Sequence, residues 1–215
     1  MTEPGVYTNT SRMDGAHWVA LACIVSAASA CGAGASENAP ARGPSRVEAK
    51  APPPPQASEA FFEAAFAGDL AVVEEALENG VDVESANAQG NTALMLAAFN
   101  GHTDLARAIL GHGAAVDQRD LTGRTALMYA SSGPYPDTVR LLLENKADVN
   151  LTDSGEGWSA IMFAGGEGLT EVIAILLAHG ADSKLKDEDG DTALTFAKSN
   201  GHAQAAALLE SAMKD

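Results

Sequence analysis

An all-α solenoid of stacked helix-turn-helix units is the fold that this chain of 215 residues predicts, and three observations carry the prediction. A phrase recurs almost verbatim, as Thr92-Ala93-Leu94, Thr125-Ala126-Leu127, Ser159-Ala160-Ile161 and Thr192-Ala193-Leu194, at steps of 33, 34 and 33 residues. A second stretch of each unit spaces its apolar residues at i, i+3 and i+4: Val73, Ala76, Leu77; Ala106, Ile109, Leu110; Val139, Leu142, Leu143; Ile173, Leu176, Leu177. That spacing gives a short helix one buried stripe. Gly80, Gly113 and Gly180 then stand where such a helix must end in a left-handed residue. Helices this short cannot hide their stripes alone, so each unit needs its neighbours.

The recurring phrase opens the first helix of each unit. The hydroxyls of Thr92, Thr125, Ser159 and Thr192 have the chemistry to accept a hydrogen bond from a backbone N–H left unpaired at a helix start. Ala97-Ala98, Ala130-Ser131 and Ala164-Gly165 are small enough to let that helix lie close against its partner. Residues 57–68 supply a helix from Ser58 through Phe61 and Phe62 to Ala65, the expected N-terminal cap. At the other end Glu210 replaces the second Leu of a pair, so the last helix turns a polar face to solvent, as a terminal unit needs. The third unit departs most: Ser131 replaces Ala, Pro134 and Pro136 replace a Gly-His pair, Lys146 replaces the helix-ending Gly, and one extra residue lies between Asp153 and Gly157. Pro136 is compatible with a helix start, where its missing N–H costs nothing. Lys146 in a left-handed conformation costs about 1 kcal/mol.

Further residues hold the same register: Gly101-His102 and Gly201-His202, Ile109-Leu110, Leu142-Leu143 and Leu176-Leu177, and Gly113-Ala114 and Gly180-Ala181. Over roughly residues 57–215 the chain resembles the ankyrin repeat family. The resemblance implies helix pairs preceded by finger-like turns, with three full repeats between two partial caps: 57–90, 91–123, 124–157, 158–190 and 191–215. It does not itself imply a partner, but in the family the finger tips and the exposed ends of first helices line a concave face on which binding is expected. On this chain the helix-end positions include Phe66, Phe99 and Asn100, and the finger positions Arg119, Leu121, Arg124, Trp158, Lys186, Glu188 and Asp191. Phe66, Phe99 and Trp158 are large apolar side chains that the scaffold does not need to bury, and so are the expected anchors. Phe66 and Phe99 can equally pack on each other or on the Pro-rich segment. Arg119 and Arg124 are cations in an acidic domain, able to orient an acidic partner group or to pair with Asp120 and Asp117.

Residues 1–30 read as a signal peptide, because the apolar run from Trp18 to Ala30 has the length of a leader core and is too short to span a bilayer. Ala28-Ser29-Ala30 before Cys31 is similar to a bacterial lipoprotein processing site, in which Cys31 carries the lipid. The same residues fit an ordinary Ala-x-Ala cleavage site, and Met13 is an alternative start to Met1. Residues 31–56, with Pro40, Pro44 and Pro52-Pro53-Pro54-Pro55, read as a disordered tether reaching at most about 80 Å. No Asp follows Cys31, which by resemblance points to the outer membrane facing the periplasm, with a soluble periplasmic protein as the alternative.

Charge is uneven along the chain. Residues 57–215 carry 25 acidic and 9 basic side chains, whereas residues 1–56 carry four of each. Such a field repels nucleic acid and anionic lipid and attracts a basic protein, though it also serves solubility alone. Cys23 and Cys31 are the only cysteines, so the repeat domain has no thiolate. His102, His202, His112 and His179 occupy structural repeat positions, and Asp187-Glu188-Asp189-Gly190-Asp191 fails the calcium-loop order because Leu185 holds its first position. No catalytic, cofactor or metal site is expected. The sequence reads as a monomeric, non-catalytic protein-interaction module with an N-terminal lipid anchor, or alternatively as a soluble acidic inhibitor or immunity-type protein with a basic target.

Overall fold

The computed structural model describes residues 56–214; the expected signal peptide, Cys31 and residues 31–55 of the tether lie outside the described residues. Ten helices follow in order: α1 (Glu59–Ala67), α2 (Leu70–Glu78), α3 (Ala93–Phe99), α4 (Thr103–Gly111), α5 (Ala126–Ala130), α6 (Pro136–Glu144), α7 (Ala160–Gly166), α8 (Thr170–Ala178), α9 (Ala193–Ser199) and α10 (Ala203–Ala212). Odd-numbered helices pack in one row, α1 on α3 on α5 on α7 on α9, and even-numbered helices in a second. All five units therefore carry both helices. No finger precedes α1 among the described residues, whereas the last pair, α9 and α10, follows a finger that Asp187 and Asp191 close.

The core lies between the rows. Leu94, Met95, Leu127, Met128, Ile161 and Met162 enter it from the odd helices, and Leu105, Ile109, Leu142, Ile173, Leu176 and Leu209 from the even ones, all fully buried. Within the expected stripes Val73, Ile109, Leu142 and Leu176 are sealed, while Ala76, Leu110 and Leu177 are only half-buried. The first helices pack on their own partners, as α7 does on α8, and Gly165 serves a second close approach: a Cβ there would stand 2.6 Å from the Ala193 carbonyl oxygen of α9 in the next unit.

The helix ends follow the local chemistry. Ser58, Thr92, Thr125 and Thr192 accept from the N–H three residues on, those of Phe61, Met95, Met128 and Thr195, at 3.3 to 3.5 Å. Ser159 departs from the expectation: its hydroxyl makes no cap bond, and its main-chain carbonyl accepts from Met162 N–H instead. Gly80, Gly113, Gly180 and Lys146 all have positive φ, at 91°, 90°, 87° and 71°. At each, two backbone bonds close the same helix-ending motif, as in Lys146 N–H to Leu143 O and Ala147 N–H to Leu142 O. Pro136 is the first residue of α6. Glu210 is half-exposed and pairs with Lys198, tying α10 to α9.

Candidate binding surface

Four fingers join the units, and one residue type builds them. Asn87, Asp120, Asp153 and Asp187 each turn a side-chain oxygen back onto the N–H groups of their own tip. A carboxylate or amide so placed substitutes for the backbone partner a tight turn lacks. In three fingers the first residue's N–H reaches the carbonyl four residues on, but Asp153 reaches five on, to Trp158. The extra residue of the third unit is absorbed there.

Neighbouring fingers are bonded at two heights. At the tips, Leu121 N–H donates to Gln89 O, Ser154 N–H to Thr122 O, and Glu188 N–H to Glu156 O. At the bases, the side chains of Glu84, Asp117 and Asn150 accept from the N–H of Ala115, Asp148 and Asp182. Glu84, Asp117 and Asn150 recur at a 33-residue step, as Asn87, Asp120 and Asp153 do, and both patterns were present in the sequence and went unread. Together they fix the fingers in register as one surface.

Beside the fingers the odd helices expose an aromatic row. Phe66 stacks on Phe99, with ring centroids 6.2 Å apart at 22°, and Phe99 meets Tyr129 edge-on at 5.9 Å. Phe66 remains 38% exposed, and Leu121 at a finger tip 76%. The two alternatives for Phe66 thus coexist: it packs on Phe99 and still presents a ring to solvent. Tyr129 donates its hydroxyl to Asp120, and its phenol is pushed above the usual tyrosine range, first by burial and then by that bond.

Trp158 corrects the sequence reading. It is 4% exposed, wedged against Phe163 at 5.3 Å and Phe196 at 4.7 Å, and so belongs to the core and is no free anchor. Arg124 is likewise engaged. Its Nε lies 3.3 Å from Asp153 Oδ2, and its guanidinium stands 5.2 Å above the Phe163 ring, so it reaches a carboxylate of the following finger. Arg119 donates from Nη1 to the carbonyls of Thr152 (2.8 Å) and Gly123 (3.2 Å), bridging fingers and making no ion pair with Asp117 or Asp120.

Asn100 is structural too, its Nδ2 donating to Phe66 O at 2.7 Å beside the His102 Nε2 bond to the same oxygen. Asn200 and His202 repeat the arrangement on Gly166 O. His112 and His179 are the C-cap residues of α4 and α8. Lys186 and Glu188 are exposed on the last finger, and Asp191 is half-buried with its N–H on Asp187. Of the expected contacts, Phe66, Leu121, Lys186 and Glu188 remain available, with Phe99 beneath Phe66.

Among the described residues no group of three or more His, Cys, Asp or Glu side chains is placed to hold a metal ion, and no helix is long and apolar enough to cross a membrane. A layered helical stack with a pinned finger row defines a repeat scaffold that presents a surface. The family model described as Ankyrin repeats (3 copies) matches residues 61–153 and again 145–214. The chain belongs to the ankyrin repeat family, whose members generally serve as non-catalytic protein-protein interaction modules.

Proposed function

We propose that the repeat domain binds a protein partner across its finger row and the ends of α1 and α3, and that a lipid on Cys31 holds it to the bacterial outer membrane on the periplasmic side. The carrying observation for binding is that the fingers are cross-bonded into one register while Leu121 stays exposed on a finger tip and Phe66 at the end of α1. A preorganised surface with apolar anchors loses little entropy on association. The anchor reading is supported by the apolar run Trp18 to Ala30 ending directly at Cys31, and residues 31–56 then serve as tether.

Two measurements test the two halves. Mass spectrometry of the mature N-terminus should find acylated Cys31; an unmodified Cys31 at the N-terminus leaves a soluble periplasmic binder, and an intact Met1 leaves a soluble acidic inhibitor or immunity-type protein. Cross-linking in envelope preparations should capture a partner that Phe66→Ala and Leu121→Ser release. Capture unchanged by both substitutions places the contact elsewhere.

A further inference from the structure

The exposed aromatic row is confined to one end of the stack. At the helix-end position that recurs through the units, Phe66 and Phe99 are followed by Ser132, Gly166 and Ser199. Phe66 is the first ring of the row: it rests on Phe99, and among the described residues no further ring continues beyond it. Among the described residues it is one of three exposed large hydrophobic side chains, with Val72 and Leu121. Glu63 lies one helical turn before Phe66 on α1, on the same side of the helix, and is exposed.

Charge separates the same end. Residues 57–106 contain nine carboxylates and no Lys or Arg, whereas residues 107–215 contain sixteen carboxylates and nine cations. From Arg107 onward part of that charge is compensated locally, as where Arg140 bridges Asp137 at 2.8 Å and Glu171 at 2.9 Å. No such compensation is available inside residues 57–106, because they contain no cationic side chain.

We infer that Phe66, backed by Phe99 and flanked by Glu63, is a receptor for a cationic protein segment in which Arg or Lys neighbours an apolar residue. This deepens the binding reading above and rests on it. A guanidinium lies flat on an open aromatic face while its N–H groups reach a carboxylate, and an apolar neighbour covers the remaining ring edge. The unbalanced carboxylates of the first units steer such a segment to this end. An acidic segment would meet the same ring against the field.

The test uses the full repeat-containing chain and a fluorescent synthetic peptide alternating Arg and Leu, with its Glu-for-Arg counterpart as control, followed by anisotropy. The Arg peptide should bind with a roughly micromolar Kd at low salt and weaken steeply by 300 mM salt. Phe66→Ala, which leaves charge unchanged, and Glu63→Gln should each weaken it about tenfold. Asp189→Asn, which removes one charge from the opposite end, should change it less than about twofold.

Equal binding to wild type and Phe66→Ala overturns the inference, as does equal loss from Glu63→Gln and Asp189→Asn, or equal binding of the Glu peptide. Thermal melts of Phe66→Ala and Glu63→Gln matching wild type separate lost contacts from lost fold. If the peptide results fail while Phe66→Ala still releases the cross-linked partner, the cationic chemistry falls and the binding module stands. If that release fails too, the binding face itself is wrong.

Discussion

His102 lies over Gly68 so closely that a Cβ on the glycine would stand 2.5 Å from the ring's Nδ1. The same imidazole donates from Nε2 to Phe66 O, and His202 covers Gly168 while bonding Gly166 O in the same way. The repeated histidines thus lock the turn between two helices of a preceding unit. Gly68→Ala adds left-handed strain and evicts the ring, so chemical denaturation should show a loss of roughly 2 kcal/mol. Gly201→Ala, where φ is also positive at 79° but nothing lies within 4 Å, should cost about 1 kcal/mol. In a His102→Ala background the Gly68→Ala cost should fall to the same value; an unchanged cost would show that the ring does not make the difference.

Asp153 and Trp158 make the third finger the most sensitive to substitution. One oxygen of the buried carboxylate accepts from the N–H groups of Glu156, Gly157 and Trp158, and the other faces Arg124. Asp153→Ala strands those donors and should cost about 3 kcal/mol, and Asp153→Asn, which keeps an acceptor, distinctly less. Trp158→Ala should cost about 3 to 5 kcal/mol by emptying the space against Phe163 and Phe196. Phe66→Ala, on the surface, should cost less than about 1 kcal/mol. Equal losses for Trp158 and Phe66 in urea titrations would reverse their assignment as core and surface.

How far the sequence carried this structure depends on the distance over which a residue's fate is decided. Thr92, Gly113 and Lys146 were legible because a cap or a left-handed residue is settled within one turn of chain. Trp158 was not, although it occupies the repeat position of Asn91, Arg124 and Asp191, all half-buried. Its burial needs Phe163 from its own unit and Phe196 from the next, brought together only by stacking. The Arg124 pair with Asp153 was out of reach for the same reason, since that carboxylate belongs to the following finger. Asn87, Asp120, Asp153 and Asp187 form a second, polar register that is legible in the sequence, since each bonds within its own finger.

Tyr129 gives the domain a contribution to stability that is lost at high pH. Burial and the bond to Asp120 hold its phenol protonated above the ordinary range, whereas the unfolded chain ionises near pH 10. The unfolded state therefore loses its proton first. The contribution is fully present below about pH 10 and is lost progressively as pH climbs toward the folded value. Melting temperature should fall over that interval, and Tyr129→Phe should flatten this part of the decline while lowering stability at neutral pH by about 1 kcal/mol. Tyrosinate absorbance should show one phenol fewer titrating near pH 10 in the wild type. A Tyr129→Phe profile parallel to wild type would mean that this phenol is not linked to folding.

Lys146 stands at φ 71° in a position where Gly80, Gly113 and Gly180 hold the same backbone and the same pair of closing bonds. A Cβ at Gly113 or Gly180 meets nothing within 4 Å, so the conformation itself, not crowding, carries the cost at this position. Lys146→Gly relieves about 1 to 2 kcal/mol of strain and adds part of that back as freedom in the unfolded chain. The net gain should be about 0.5 to 1 kcal/mol, seen as a melting temperature higher by about 2 °C for a domain of this size. Lys146→Ala keeps the Cβ and removes the charge, and should leave the melt within about 1 °C of wild type. If Lys146→Gly lowers the melt, the strain account fails; if Lys146→Ala raises it as much as Gly does, charge rather than backbone geometry governs this turn.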